Sequence, residues 1–242
     1  TTFILGASGA TGKQLVAQLL QKDQKLKLLG RSFETIPEYW KNNQQLTLIQ
    51  RSISELRVDE LGEHLQDCDA VASGLGHNLT WKGIYGQPRK LVTEAIENIC
   101  EAIQKKASSP KPTKIVLLNT TSNRKRDLNE AVSFAEKVMF GIIRGLLPPQ
   151  KDNEMAADYL RTQIGQNHKS IEWAAVRPDG LIDHDQVSEY EVYPSPIRSA
   201  IFNPGKTSRI NVGHFMASLL SVDDLWNQWK GQMPVIYNKT EQ

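Results

Sequence analysis

The chain has 242 residues, 39% hydrophobic and 23% charged, the composition of a globular protein able to bury a two-faced sheet without disulfide or metal staples. Its 29 basic against 27 acidic residues leave a formal charge of +2, too weak a field to attract nucleic acid or an anionic membrane. Cys68 and Cys100 form no CxxC pair and the five histidines show no paired spacing, so buried thiols are expected rather than a disulfide framework or a metal site.

Apolar runs alternate with helical stretches along the whole chain. Phe3-Ile4-Leu5 reads as a first strand, and Leu15, Val16, Leu19 and Leu20 recur at helical spacing within a helix over 12–22. Strands follow at 26–29, 46–49 and 70–72, with a short helical connection through Leu56, Leu61 and Leu65. Residues 87–106 place Leu91, Val92, Ala95, Ile96, Ile99 and Ile103 on one helical face, ahead of a breaker at Ser108-Ser109-Pro110. A fifth strand covers 115–118. Helices are expected over 128–145 and 151–166, separated by Pro148-Pro149, and a sixth strand over 171–176 closes at Pro178. The stretch 183–208 has no clear period; a strand-like step at 210–212, a helix over 213–230 and a short strand at 235–237 complete the chain. Arg124-Lys125-Arg126, the one tight basic cluster, reads as a solvated loop.

Strands separated by helices imply a Rossmann-type, doubly wound parallel α/β sheet with a small C-terminal elaboration on the substrate side. Unalternated Val, Ile and Leu in the strands agree with burial on both faces. No repeat or linker divides the chain, so residues 1–242 are expected to form one domain, with 183–208 as lid or substrate segment. No apolar run has membrane-spanning length, and the first strand leaves no room for a signal peptide, so the expected compartment is the cytoplasm.

The motif with chemical content is Gly6-Ala7-Ser8-Gly9-Ala10-Thr11-Gly12, which follows the first strand and opens the first helix. The first glycine permits the tight turn, the second lets backbone approach a pyrophosphate, and the third packs helix against strand. Amide N–H groups and the positive helix end then face the phosphates. NAD-binding chains place an acid at the end of the second strand for the ribose 2′-hydroxyl. This chain has Gly30-Arg31-Ser32 there, a guanidinium and a hydroxyl suited to a 2′-phosphate, which predicts NADP(H) as cofactor. After the third strand, Arg51-Ser52-Ile53 falls where adenine should rest, with Ile53 as its apolar neighbour. After the fourth, Gly74-Leu75-Gly76 brings backbone close to the cofactor.

These segments, with Val176-Arg177-Pro178-Asp179-Gly180-Leu181, resemble the atypical short-chain dehydrogenase/reductases, closest to the NmrA-like and biliverdin/flavin-reductase-like group. The resemblance covers nearly the whole chain. It implies that Pro178 and Leu181 flank a nicotinamide, and that Asn119, Thr120 and Ser122 after the fifth strand lie beside it. The family's Tyr-x-x-x-Lys pair occurs nowhere in this sequence. In its region stands Pro148-Pro149-Gln150-Lys151-Asp152-Asn153. Ser122 and Lys151 are therefore the candidate catalytic residues, with Lys151 or else Asp152 as a polar group over the ring; the alternative is a solvated helix start capped by Asp152 or Asn153. Residues 77–87 interleave aromatics with glycine, either walling a substrate pocket or packing a loop.

Two functions follow. One is an NADPH-dependent reductase of a small organic acceptor such as a flavin, quinone or carbonyl compound. The other is a non-catalytic NADP(H)-binding sensor, assembly or regulatory module, which the absent tyrosine–lysine pair favours. A nucleotide-sugar epimerase would need that same pair and a larger substrate domain. A monomer or small homo-oligomer is expected.

Overall fold

The computed structural model describes residues 1–76, 89–106, 111–123 and 148–239. The expected helix over 128–145, the cluster at 124–126, the breaker at 108–110 and the stretch 77–87 lie outside the described residues.

Strand β1 (Thr2–Leu5) is buried at all four positions and forms the centre of the sheet. β2 (Leu26–Gly30) pairs parallel with it on one side, and β3 (Leu46–Gln50) lies beyond β2. On the other side come β4 (Ala70–Ser73), β5 (Thr113–Leu118) and β6 (Ile171–Pro178), all parallel. β7 (Gly180–Ile182) pairs with β9 (Lys206–Ser208) in a separate two-stranded sheet. β8 (Tyr190–Tyr193) closes the main sheet antiparallel to β10 (Val235–Asn238), which itself runs parallel to β6. The eight-stranded order is β3-β2-β1-β4-β5-β6-β10-β8. The chain thus reverses direction of travel between β1 and β4, and open α/β sheets bind ligands in the crevice at that point.

Helices cover both faces. Phe3 and Leu5 of β1 enter one core with Leu61 of α3 (Val58–Leu65), Ile96 of α4 (Leu91–Lys105) and Ala156 of α5 (Pro148–Tyr159). Ile4 enters the other, with Leu15 of α1 (Ala10–Leu20), Phe215 of α6 (Arg209–Ser221) and Trp226 of α7 (Asp223–Trp229). Trp40, on the single-turn α2 (Glu38–Lys41), is 1% exposed and caps the second core at the β3 edge. α1 and α6 approach closely, since a Cβ on Gly213 would lie 2.7 Å from the Gln14 carbonyl carbon.

Arg177, 0% exposed, serves the architecture. Its guanidinium donates to the carbonyls of Met233 (2.7 Å), Asn123 (2.8 Å) and Pro194 (3.2 Å), tying the segments around β5, β8 and β10 together. A planar fork with five donors suits this task where a lysine would not.

Several expectations need correction. Residues 210–212 are not a strand: Ser208 caps α6 by accepting from the Asn211 amide, and the β-branched Ile210 and Val212 lie inside the helix. The helix expected over 213–230 is two helices broken at Val222. Pro148 and Pro149 lie in the first turn of α5 rather than ahead of it, since first-turn amides need no intrahelical partner. α5 then passes into a π-helical turn at Leu160–Ile164. The aperiodic stretch 183–208 contains β8 and β9.

Candidate functional site

The glycine turn is held by contacts that leave no room for side chains. Gly6 has φ +73°, in the left-handed region, and a Cβ there would lie 2.5 Å from the Gly74 carbonyl oxygen. A Cβ on Gly12 would lie 2.0 Å from the Gly6 oxygen, so α1 can seat against the turn only through glycine. The Gly9 amide donates to the Gly6 carbonyl at 3.0 Å, and the Gly74 amide to the Leu5 carbonyl at 2.9 Å. The turn after β1 and the loop after β4 are therefore one interlocked unit. Ala7 is 1% and Thr11 8% exposed beneath it, whereas Gly9 and Ala10 face outward. Gly9, the N-cap of α1, supplies no side-chain acceptor, so the first-turn amides point at open space where an anion fits.

A cleft of about 340 Å³ opens above this turn. Gly6, Ser8 and Gly9 form its floor, and Gly74, Leu75 and Gly76 one wall. The opposite wall comes from the ends of β2 and β3: Gly30 and Arg31, then Ser52 and Ile53. Ile53 is 7% exposed and offers the apolar surface expected beside a flat base, and Leu91 at the start of α4 adds to it. Arg31 and Ser32 are exposed; the Ser32 hydroxyl accepts from the Glu34 amide at 3.2 Å and does not line the cleft.

Asn119, Thr120, Ser122 and Pro178 stand farther along the same carboxyl edge of the sheet, outside the cleft wall. The Asn119 side chain donates to the Asn153 carbonyl (2.9 Å) and accepts from the Thr120 amide (2.8 Å). The Ser122 hydroxyl lies 3.1 Å from that of Thr120 and donates to the Gln150 side-chain oxygen at 3.1 Å; Gln150 in turn donates to Glu154 at 3.2 Å. Lys151 is exposed in the first turn of α5. Asp152 neither caps its own helix nor faces outward. It is 1% exposed and accepts from the Val92 amide (2.8 Å), the Thr93 amide (3.0 Å) and the Thr93 hydroxyl (2.6 Å), capping α4 instead.

Asp179, directly after β6, accepts from the Thr121 hydroxyl (3.2 Å) and the Gly205 amide (2.8 Å), which binds the β7–β9 pair to the edge of the site. Burial pushes its carboxyl above the usual range. Sequence reasoning had placed Arg51-Ser52-Ile53 beside the adenine but had not singled out Ser54 or Leu91 as cleft residues.

An interlocked glycine turn at the reversal point of a parallel sheet, below a cleft with an uncapped helix end, defines a dinucleotide-binding protein of the Rossmann type. The chain belongs to the NAD(P)H-binding family, whose model matches residues 6–223. No curated protein matches it. Among solved structures it is similar to a short-chain dehydrogenase/reductase from Veillonella parvula in complex with NADP (17% identity, TM-score 0.70, covering 98% of this chain and 94% of that one). The oxidoreductase ylbE from Lactococcus lactis is similar at 14% identity and TM-score 0.69, covering 99% and 92%. ChuY, an anaerobillin reductase from Escherichia coli O157:H7, is similar at 14% identity and TM-score 0.67, covering 100% and 99%. At these identities the likeness is one of fold. Among the described residues no helix is long and apolar enough to cross a membrane.

Proposed function

We propose that the chain binds NADP(H) in preference to NAD(H) and acts as an NADPH-dependent reductase of a small organic acceptor such as a flavin, quinone or carbonyl compound. The observation that carries the cofactor choice is Arg31 in the cleft wall at the end of β2, with no carboxylate among the described lining residues. A guanidinium there stabilises a 2′-phosphate, and an acid would repel it. Bound NADPH supplies a hydride, and a proton taken up by the acceptor completes its two-electron reduction. In this reading Ser122 offers a hydroxyl on the nicotinamide side, Lys151 lends positive charge at the rim, and the segment 183–208 shapes the acceptor side.

A second reading, a non-catalytic NADP(H)-binding module, draws support from α5. The region where reductases of this family carry Tyr-x-x-x-Lys here spends Gln150, Asp152 and Asn153 on bonds to Ser122, α4 and Asn119. Both readings predict NADPH binding; only the reductase oxidises NADPH above background with a panel of flavins, quinones and aldehydes. Arg31→Glu should weaken NADPH far more than NADH, and equal losses would refute the 2′-phosphate assignment.

A further inference from the structure

We propose that Arg51 is a second specificity-determining residue of the cleft, so that the 2′-phosphate is held between two guanidinium groups rather than one. This rests on the NADP(H) reading above.

Gly30 and Gln50, the last residues of β2 and β3, are register partners in a parallel pair. Arg31 and Arg51 are the residues that immediately follow them, so their backbones leave the sheet side by side, about 5 Å apart. Both side chains line the same cleft. Two guanidiniums facing one cavity repel each other unless an anion lies between them. The cleft supplies no such anion from its described walls, which add only hydroxyls on that side: Ser52 and Ser54, 2.8 Å apart.

Among the described residues Arg51 has one ion-pair partner, Glu60 on α3, at 3.7 Å and therefore beyond hydrogen-bond reach. Glu60 is engaged elsewhere. Its other oxygen accepts from the Arg57 amide at 2.9 Å in the capping box of α3, a bond that holds its carboxyl below the usual range. The Arg51 side chain, 49% exposed, is steadied at the cleft mouth while its donors stay available. A dianionic phosphate ester presents three acceptor oxygens, enough to take a forked pair from each arginine. A flat base stacked on Ile53 would place its ribose between the two strand ends.

The test uses the full chain and calorimetric titration with 2′,5′-ADP and with 5′-AMP, which differ in carrying or lacking the 2′-phosphate. The wild type should bind 2′,5′-ADP at least about tenfold more tightly than 5′-AMP. Arg51→Gln should weaken 2′,5′-ADP about tenfold or more, as expected for one charge-assisted contact, and leave 5′-AMP within about threefold. Its melting temperature should match the wild type. Because one anion is shared, the loss in Arg31→Gln/Arg51→Gln should depart from the product of the single losses. An unchanged Arg51→Gln, an equal loss on both ligands, or strictly multiplicative losses would each overturn the proposal while leaving Arg31 intact. A wild type without preference for 2′,5′-ADP would instead overturn the NADP(H) reading itself, and this inference with it.

Discussion

Replacing Asp152 by alanine tests the idea that α4 is capped from outside its own sequence. The α4 N-cap residue, Lys90, makes no side-chain cap, and the Val92 and Thr93 amides both end on the Asp152 carboxylate. Alanine removes both acceptors, and each buried donor left without a partner costs about 1–3 kcal/mol. The Thr93 hydroxyl softens the loss by retaining a 2.9 Å bond to the Asp152 backbone carbonyl. The net cost should be about 2–4 kcal/mol, which for a domain of this size lowers the melting temperature by about 5–15 °C. Asp152→Asn keeps one acceptor oxygen and should lose roughly half as much. Because Leu91 lines the cleft one residue before the capped amides, nucleotide affinity should fall in the same order of variants. Urea unfolding followed by circular dichroism measures the stability change. An Asp152→Ala protein within about 0.5 kcal/mol of wild type would refute the cross-fold cap.

Two further outcomes are expected. Gly12→Ala drives a methyl into the Gly6 carbonyl, so the turn must open; nucleotide affinity should fall at least about a hundredfold, and wild-type affinity in a titration would contradict the interlocked turn. Burial pushes the Cys68 thiol up to about 11 and the Cys100 thiol up to about 12, so both stay protonated at neutral pH, and only the thiolate is nucleophilic. Folded protein at pH 8 should therefore react with a thiol reagent only at the rate of unfolding; rapid labelling of either cysteine without denaturant would refute the burial argument.

The parallel core was legible because its signals are local. Phe3-Ile4-Leu5 and Ile115-Val116-Leu117 are apolar without alternation because both faces of the sheet are covered. The glycine turn was equally legible, since a left-handed Gly6 and a contact that forbids a Cβ at Gly12 leave a fixed spacing behind. The C-terminal third was harder to read. α6 is buried nearly all round, so it shows no stripe, and Ile210 and Val212 imitate a strand. Tyr190–Tyr193 acquires its strand character from pairing with β10, a partner that follows it by some forty residues. The cleft shows the same division. Arg31 could be found from its distance to the glycines and Arg51 from its place after the third strand, whereas their side-by-side position emerges only once β2 and β3 are seen in register. Asp152 looked like a cap for its own helix; nothing in the sequence announces that its acceptors serve α4.

The backbone contact at Gly213 bears on how the protein comes into being. The phosphate-facing turn and the strands around it are made early, yet the helix that turn leads into lies with Leu15 and Leu19 against α6, which is made long afterwards. A nascent chain lacking residues beyond 208 would hold every glycine of the turn but leave that flank of α1 in water. Competence to grip a nucleotide should thus arrive abruptly, once α6 has been made.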